Sequence, residues 1–237
     1  MQPKKVRATR LCRIPLRIAA DPAGIAITVH SADGWVGTPA AELRQRGSAK
    51  AQNVPLNMVT PFSFAGHICG LPASMDGTIE VTGATTEGVA ASAVEDFSFV
   101  RTDKAVRFVG PAGQITLHIE AARGERAYCI GPPGLDVLAF PRNAVMIGRA
   151  YAITTTEQRF TEGVRLAFKL PRGSIGANAA RLAICLWNGS WATWERVGGS
   201  VHASDWQMLT AELVVPGVYA VVEQAETGPA APKQDDH

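Results

Sequence analysis

Long apolar runs are missing from this 237-residue chain. No stretch approaches the roughly 20 consecutive apolar residues that a membrane-spanning helix needs, so we expect no membrane span. Arg13 and Arg17 interrupt the only apolar stretch near the start, and no secretory signal is visible. A virion-like particle or the cytoplasm is therefore favoured over secretion, while removal of a signal before residue 1 stays open.

The common motifs of catalytic and metal sites are also absent. The four cysteines form no CxxC pair, which argues against a zinc site and favours reduced thiols, with Cys185 as a buried one. The histidines form no HxH, HxxxH or HExxH spacing, and neither a GxSxG elbow nor a GxxxxGK[ST] phosphate loop occurs. We expect a protein that is not an enzyme and that has no cofactor and no metal site.

Helical periodicity is nearly absent, and period-two alternation takes its place. Apolar and polar residues alternate over residues 25–30, 79–82, 115–120 and 164–170, the pattern of strands with one face in a core. The 23 Gly and 15 Pro suit many short strands joined by turns. Tight turns are predicted at Asp33-Gly34 and Asp76-Gly77, and a hairpin at Asn188-Gly189. Residues 39–50 are compatible with either a short helix or a loop.

These patterns predict an all-β fold of two antiparallel β-sandwich domains in tandem. The first sandwich covers residues 21–96 and the second residues 104–223, with the boundary in the charged stretch between Glu95 and Lys104. A flexible basic arm of residues 1–20 precedes them. The Pro-rich polar residues 224–237 are predicted to form a disordered tail.

The second half resembles the ZU-type β-sandwich of ankyrins, netrin receptors and tight-junction scaffolds. Residues 106–113 with 115–119 match the opening strand, glycine turn and strand, and residues 147–153 with 160–168 match a glycine-aromatic strand followed by an alternating one. The hairpin of residues 186–191 leads through 197–201 and 209–213 to the closing strand 216–220. The resemblance covers residues 104–223 and implies an interaction domain; the autoproteolytic His-Phe-Ser junction of some relatives has no counterpart at Phe97-Ser98.

The first half more distantly resembles transthyretin-like or carboxypeptidase-regulatory sandwiches. Residues 27–34 and 61–66 carry this resemblance, followed by Gly70-Leu71-Pro72 and the strand at 78–81. Domains of that type are usually stalks and spacers, which the resemblance implies here too.

The N-terminal arm concentrates positive charge ahead of the first acid, Asp21. Such an arm suits contact with an acidic partner, an anionic lipid surface or a nucleic acid, or it is simply a solvated terminus; a transit peptide is also open. We treat it as a candidate assembly arm that makes at most weak polyanion contacts. Its basic residues are Lys4, Lys5, Arg7, Arg10, Arg13 and Arg17.

Tryptophans cluster near the predicted Asn-Gly hairpin. Exposed tryptophans stack on sugar rings or anchor protein interfaces, whereas buried ones cover a core. Trp187 and Trp191 are expected to pair across the turn. The candidate ligand or interface residues are Trp187, Trp191, Trp194 and Trp206.

Together these features predict a structural subunit of a larger assembly, with protein subunits of the same assembly as partners and a homo-oligomeric state. The virion, a phage-like particle and a cell-surface layer are the settings considered. The first alternative is a carbohydrate-binding module that uses the tryptophan-rich hairpin. The second is a hydrolase with a dispersed site near His67, His118 and His202.

Overall fold

The computed structural model describes residues 12–134, 144–170, 181–198, 201–203 and 208–224. These residues form strands and turns, with one short 3₁₀ helix at Pro111–Gly113 and no α-helix among them. The prediction of an all-β protein built from antiparallel sheets is confirmed. The strands are β1 (Cys12–Arg13), β2 (Leu16–Asp21), β3 (Gly24–His30), β4 (Ala40–Gln45), β5 (Ala51–Asn53), β6 (Asn57–Thr60), β7 (Ser63–Cys69), β8 (Ser74–Ala84), β9 (Ala90–Thr102), β10 (Val106–Val109), β11 (Ile115–Ile119), β12 (Arg126–Gly131), β13 (Ala144–Thr155), β14 (Val164–Lys169), β15 (Leu182–Asn188), β16 (Thr193–Arg196), β17 (Val201–Ala203), β18 (Met208–Leu213) and β19 (Gly217–Gln224).

Three sheets contain these strands. The central sheet has ten strands in the order β16-β15-β19-β13-β12-β9-β8-β4-β5, with β1 added beside β9. A four-stranded sheet has the order β2-β3-β7-β6, and a five-stranded sheet has the order β10-β11-β14-β18-β17. All pairings are antiparallel except that of β1 with β9.

The two smaller sheets cover opposite faces of the central sheet. In β12, Ala127 and Cys129 pack in the core with the four-stranded sheet, whereas Tyr128 and Ile130 pack in the core with the five-stranded sheet. Because successive side chains of a strand point to opposite faces, the two cores lie on opposite sides of one sheet. The sandwiches follow one another along the chain and share β9 and β12.

The predicted domain boundary falls inside β9. This strand runs through residues 90–102, with Phe97 and Phe99 in the first core and Val100 in the second. The charges of Glu95 and Asp96 suggested a domain boundary, but the residues after them are buried on both faces of the sheet. A strand therefore stands where the sequence predicted a connection between domains.

The predicted arm of residues 1–20 is shorter than expected, because its second half belongs to the fold. β1 pairs with residues 91–92 of β9, and β2 is a full strand of the four-stranded sheet. Ile14, Leu16 and Ile18 are buried in the first core. The alternation of these apolar residues with Arg13 and Arg17 is the pattern of a half-buried strand.

Two local predictions are wrong. Residues 40–45 form β4, neither a helix nor a loop. Asp76-Gly77 lies inside β8, where Gly77 pairs with Phe97 of β9. A Cβ at Gly77 would lie 2.9 Å from the Phe97 ring, so this glycine serves close packing within the sheet and not a turn. Asp33-Gly34 is a turn as predicted, with a positive φ of 73° at Gly34.

Candidate functional site

A cleft opens where the central sheet splits. β12 pairs with β9 only as far as Ile130 and with β13 only as far as Gly131. Beyond that point the chain leaves the sheet through Pro132-Pro133-Gly134. The gap between β9 and β13 holds a cavity of about 460 Å³, within the size range of small-molecule sites.

Ion pairs already connect the walls of this cleft. The Glu95 carboxylate, whose side chain is only 16% exposed, accepts a hydrogen bond of 2.7 Å from the Arg13 guanidinium and lies 4.0 Å from that of Arg149. Nearby, the Tyr151 hydroxyl donates to Gln114 Oε1 at 2.9 Å. These contacts join β1, β9 and β13 across the gap. Glu95, Arg13 and Arg149 are therefore engaged with one another and do not form a free acid and base.

A second ionic cluster lies where the loop between β13 and β14 meets β12. The Glu162 side chain is 4% exposed; it accepts hydrogen bonds from the Tyr128 hydroxyl and, at 3.0 Å, from Thr161 Oγ1. Arg126 lies 3.7 Å from the same carboxylate and also pairs with Glu157. The cluster ties the loop between β13 and β14 to β12.

The electrostatics of this cluster favour a charged Glu162. Burial alone would raise the pKa of Glu162, but the hydrogen bonds from Tyr128, Thr161 and the backbone and the charge of Arg126 outweigh it and hold the pKa below its usual range. Burial and the same carboxylate raise the pKa of Tyr128. The Phe160 ring stacks on Tyr128 with centroids 6.5 Å apart. This cluster lines neither of the two described cavities, and its contacts are those of a structural fastening.

Sequence reasoning did not find this cluster. Glu162 is 34 residues from Tyr128, and β12 and the loop meet only in the folded sheet. The only signal in the sequence is the aromatic residue Phe160 beside an acid in a loop, which is not specific.

The tryptophan hairpin forms, but with a different pairing from the one expected. The loop between β15 and β16 spans residues 189–192, and Trp187 faces Trp194 across the strands, with ring centroids 5.3 Å apart and planes tilted by 59°. The expected pairing of Trp187 with Trp191 is wrong, because Asn188 pairs with Thr193 and Trp191 lies in the four-residue loop. Trp194 is buried, and Trp187 is partly buried against the same cluster.

Small residues explain how these rings fit against the sheet. On the face of the central sheet that also carries the first core, Ala183, Cys185 and Ala220 are buried with Trp194. Side chains of this size leave room for an indole ring directly over the strands. Trp187 and Trp194 therefore cover a third, smaller core and do not form a flat exposed platform.

Trp191 lies at the tip of the hairpin and is 78% exposed. Asn188 Oδ1 accepts the N–H groups of Ser190 at 3.0 Å and of Trp191 at 3.4 Å, which fixes the turn. Asn188 Nδ2 donates to Glu195 Oε1 at 2.5 Å. Of the four candidate tryptophans, Trp191 alone is fully accessible among those described, and Trp206 lies outside the described residues.

The candidate arm residues are divided between the fold and the undescribed N-terminus. Arg13 forms the ion pair with Glu95, and Arg17 lies in β2 opposite Thr28. Lys4, Lys5, Arg7 and Arg10 lie outside the described residues.

The three histidines of the hydrolase alternative do not come together. His67 lies in β7 of the four-stranded sheet, 3.5 Å from Asp21. His118 and His202 lie in β11 and β17 of the five-stranded sheet, where β14 and β18 separate them by about 14 Å, three strand spacings. Neither described cavity has a histidine in its lining.

Exposed apolar side chains concentrate around edge strand β6. Met58 and Val59 of this strand are 65% and 64% exposed. Phe62, in the turn to β7, is 47% exposed, and Val36, in the neighbouring loop, is 61% exposed. We call these four residues the β6 patch. Exposed apolar side chains that lie near one another can mark interaction sites in soluble proteins.

The chain was compared with protein-family models, curated proteins and solved structures, and no match was found. Among the described residues, no helix has the length and apolar character to cross a membrane. No group of three or more His, Cys, Asp or Glu side chains in the described ranges is arranged to hold a metal ion.

Proposed function

We propose that this chain is a non-enzymatic structural subunit that associates with copies of itself and with other subunits of a larger particle or surface assembly. The observation that carries the proposal is the β6 patch on a strand whose outer edge is paired with no strand in the described part of the chain. An edge strand offers free backbone N–H and C=O groups, and apolar side chains beside it favour burial against a partner.

The polar clusters support the same proposal. Glu95 is engaged by Arg13, and Glu162 by Tyr128 and Arg126. Groups that are fully engaged in joining strands suit a rigid building block. The resemblance of the second half to interaction sandwiches points in the same direction, although fold alone does not give function.

The experiment is light scattering on a size-exclusion column over a concentration series. It compares the full chain with a chain that lacks residues 1–11, the part that precedes the first described strand. We expect the full chain to form an oligomer of fixed size, and we expect the shorter chain to form a smaller one if Lys4, Lys5, Arg7 and Arg10 contact neighbours. A full chain that is monomeric at every concentration would contradict the proposal.

Glycan binding at Trp191 is the second candidate, favoured by the exposure of this ring beside the polar side chains of Asn188 and Glu195. A glycan that stacks on the ring would change tryptophan fluorescence, and Trp191→Ala would abolish the change without unfolding. Unchanged fluorescence across a broad glycan panel would dismiss this candidate.

A further inference from the structure

A segment without charge builds one side of the first sandwich, where two described sheets end. Residues 51–75 contain no Asp, Glu, Lys or Arg, in a chain where these residues make up 19%. Two edge strands come from this segment: β5 at the end of the central sheet and β6 at the end of the four-stranded sheet.

Both edges lie on the same side of the sandwich. Only Val54, Pro55 and Leu56 connect β5 to β6. Packed sheets are about 10 Å apart, a distance that three extended residues just cover. The Val54 N–H donates to the carbonyl of Ala41 at 2.8 Å, and Val54 and Leu56 are buried in the first core. The chain therefore crosses directly from one sheet edge to the other.

The loop that follows β3 holds the β6–β7 hairpin in place. The carbonyl of Phe62 accepts the backbone N–H of Ser31 at 2.8 Å and the indole N–H of Trp35 at 3.2 Å. The carbonyl of Pro61 accepts the backbone N–H of Trp35 at 3.3 Å, and the Trp35 ring packs edge-on against Phe64. Because the turn is fixed, β6 is preorganised and loses little conformational entropy when it pairs.

Three other edge strands carry charges that oppose pairing, whereas β5 and β17, like β6, carry none. β16 contains Glu195 and Arg196, β10 contains Arg107, and β2 contains Arg17 and Asp21. Charged side chains on an edge are a common defence against strand addition. β6 has no charge, and its one protective feature is the bulge at Val59, where the register against β7 shifts.

We propose that β6 pairs antiparallel with β6 of a second copy of this chain about a two-fold axis. A two-fold axis brings the central residues of a strand close to the same residues of its copy, so a charge on this four-residue strand would lie near a like charge; an uncharged strand avoids this repulsion. Pairing joins the two four-stranded sheets into one sheet of eight strands and buries the β6 patches against each other. This inference rests on the proposed assembly function and names the partner at this edge.

The test compares Val59→Lys with a matched control, Val94→Lys, in the full-length chain. Val94 is similarly exposed, at 58%, but lies on β9 inside the central sheet. Light scattering over a concentration series measures the dimer Kd of each protein. We expect Val59→Lys to raise Kd at least tenfold, which corresponds to about 1.4 kcal/mol, and Val94→Lys to leave it unchanged.

Hydrogen exchange gives an independent readout of strand pairing. The amides of residues 57–60 should exchange more slowly as wild-type concentration rises through Kd, because pairing gives the free N–H groups of β6 acceptors. Circular dichroism checks that the variants fold, and Met58→Lys replaces Val59→Lys if that variant does not.

Two results overturn the inference, and they can be told apart. If wild type associates but the lysine variants at β6 have the same Kd, the subunits associate through another surface. That result refutes β6 self-pairing and leaves the proposed assembly function intact. If wild type stays monomeric at every concentration, both β6 self-pairing and the proposed assembly function are refuted.

Discussion

Replacing Glu162 with Gln tests whether the buried ionic cluster stabilises the second sandwich. The substitution keeps the size of the side chain but removes the charge that Arg126 and the Tyr128 hydroxyl engage. Hydrogen bonds to a charged group contribute about 1.5–3 kcal/mol, so we expect the free energy of unfolding to fall by about 2 kcal/mol at pH 7.

The pH dependence of this loss follows from the lowered pKa of Glu162. A carboxyl whose pKa is lower in the folded than in the unfolded state stabilises the fold above the unfolded pKa, about 4.3, and loses that contribution as pH falls through the folded pKa. The difference between wild type and Glu162→Gln should therefore be constant above about pH 5 and shrink below about pH 4.

Urea unfolding followed by tryptophan fluorescence, at pH 7 and at pH 3.5, measures this difference. Glu212→Gln is the control, because Glu212 pairs with Arg165 at a distance of 2.7 Å on the exposed face, where solvent screens the interaction. Equal unfolding midpoints for wild type and Glu162→Gln at pH 7, or a difference that persists unchanged at pH 3.5, would refute the reasoning.

Three further predictions concern packing and access. Trp194→Ala should lower the free energy of unfolding by about 3 kcal/mol in urea titrations, since it removes a buried ring, whereas Trp191→Ala should be nearly neutral. Equal losses of stability in the two variants would contradict the buried position of Trp194. A chain without residues 1–11 should give a folded circular dichroism spectrum, and one without residues 1–20 should not, because the longer deletion removes β2; a folded longer deletion would show that β2 is dispensable. In the native protein, Cys69 should react with Ellman's reagent at pH 8 while Cys129 and Cys185 stay protected. Cys129 and Cys185 are buried, and burial raises the pKa of Cys185 to about 11. Equal reaction rates of the three thiols would refute this prediction.

The positions of several strands follow from the sequence because one face of each strand meets water. The alternation over residues 25–30, 115–120 and 164–170 predicts β3, β11 and β14, because a half-buried strand must alternate. The shared sheet was harder to predict, since it depends on residues buried on both faces. Phe97 to Val100 form such a continuous buried run, and the charges just before it suggested a domain boundary at a position where β9 runs through.

The candidate site was predicted less well, because its contacts depend on register and on long-range pairing. The sequence suggested that Trp187 and Trp191 pair across the Asn188-Gly189 turn, but the loop has four residues and sets Trp187 opposite Trp194. The β6 edge was not identified from sequence, since no local pattern states which strand ends a sheet. The meeting of Arg126 with Glu162 likewise requires knowledge of the folded sheet.

Sharing β9 and β12 between the two sandwiches affects how the molecule responds to tension. When two domains are joined by a flexible linker, a stretching force first extends the linker and each domain then ruptures separately. At residues 90–102 there is no such slack, because this strand pairs with β8 over residues 90–100 and with β12 over its last five residues. Separating the sandwiches would require breaking that ladder, so in single-molecule pulling the two should rupture as one mechanical unit.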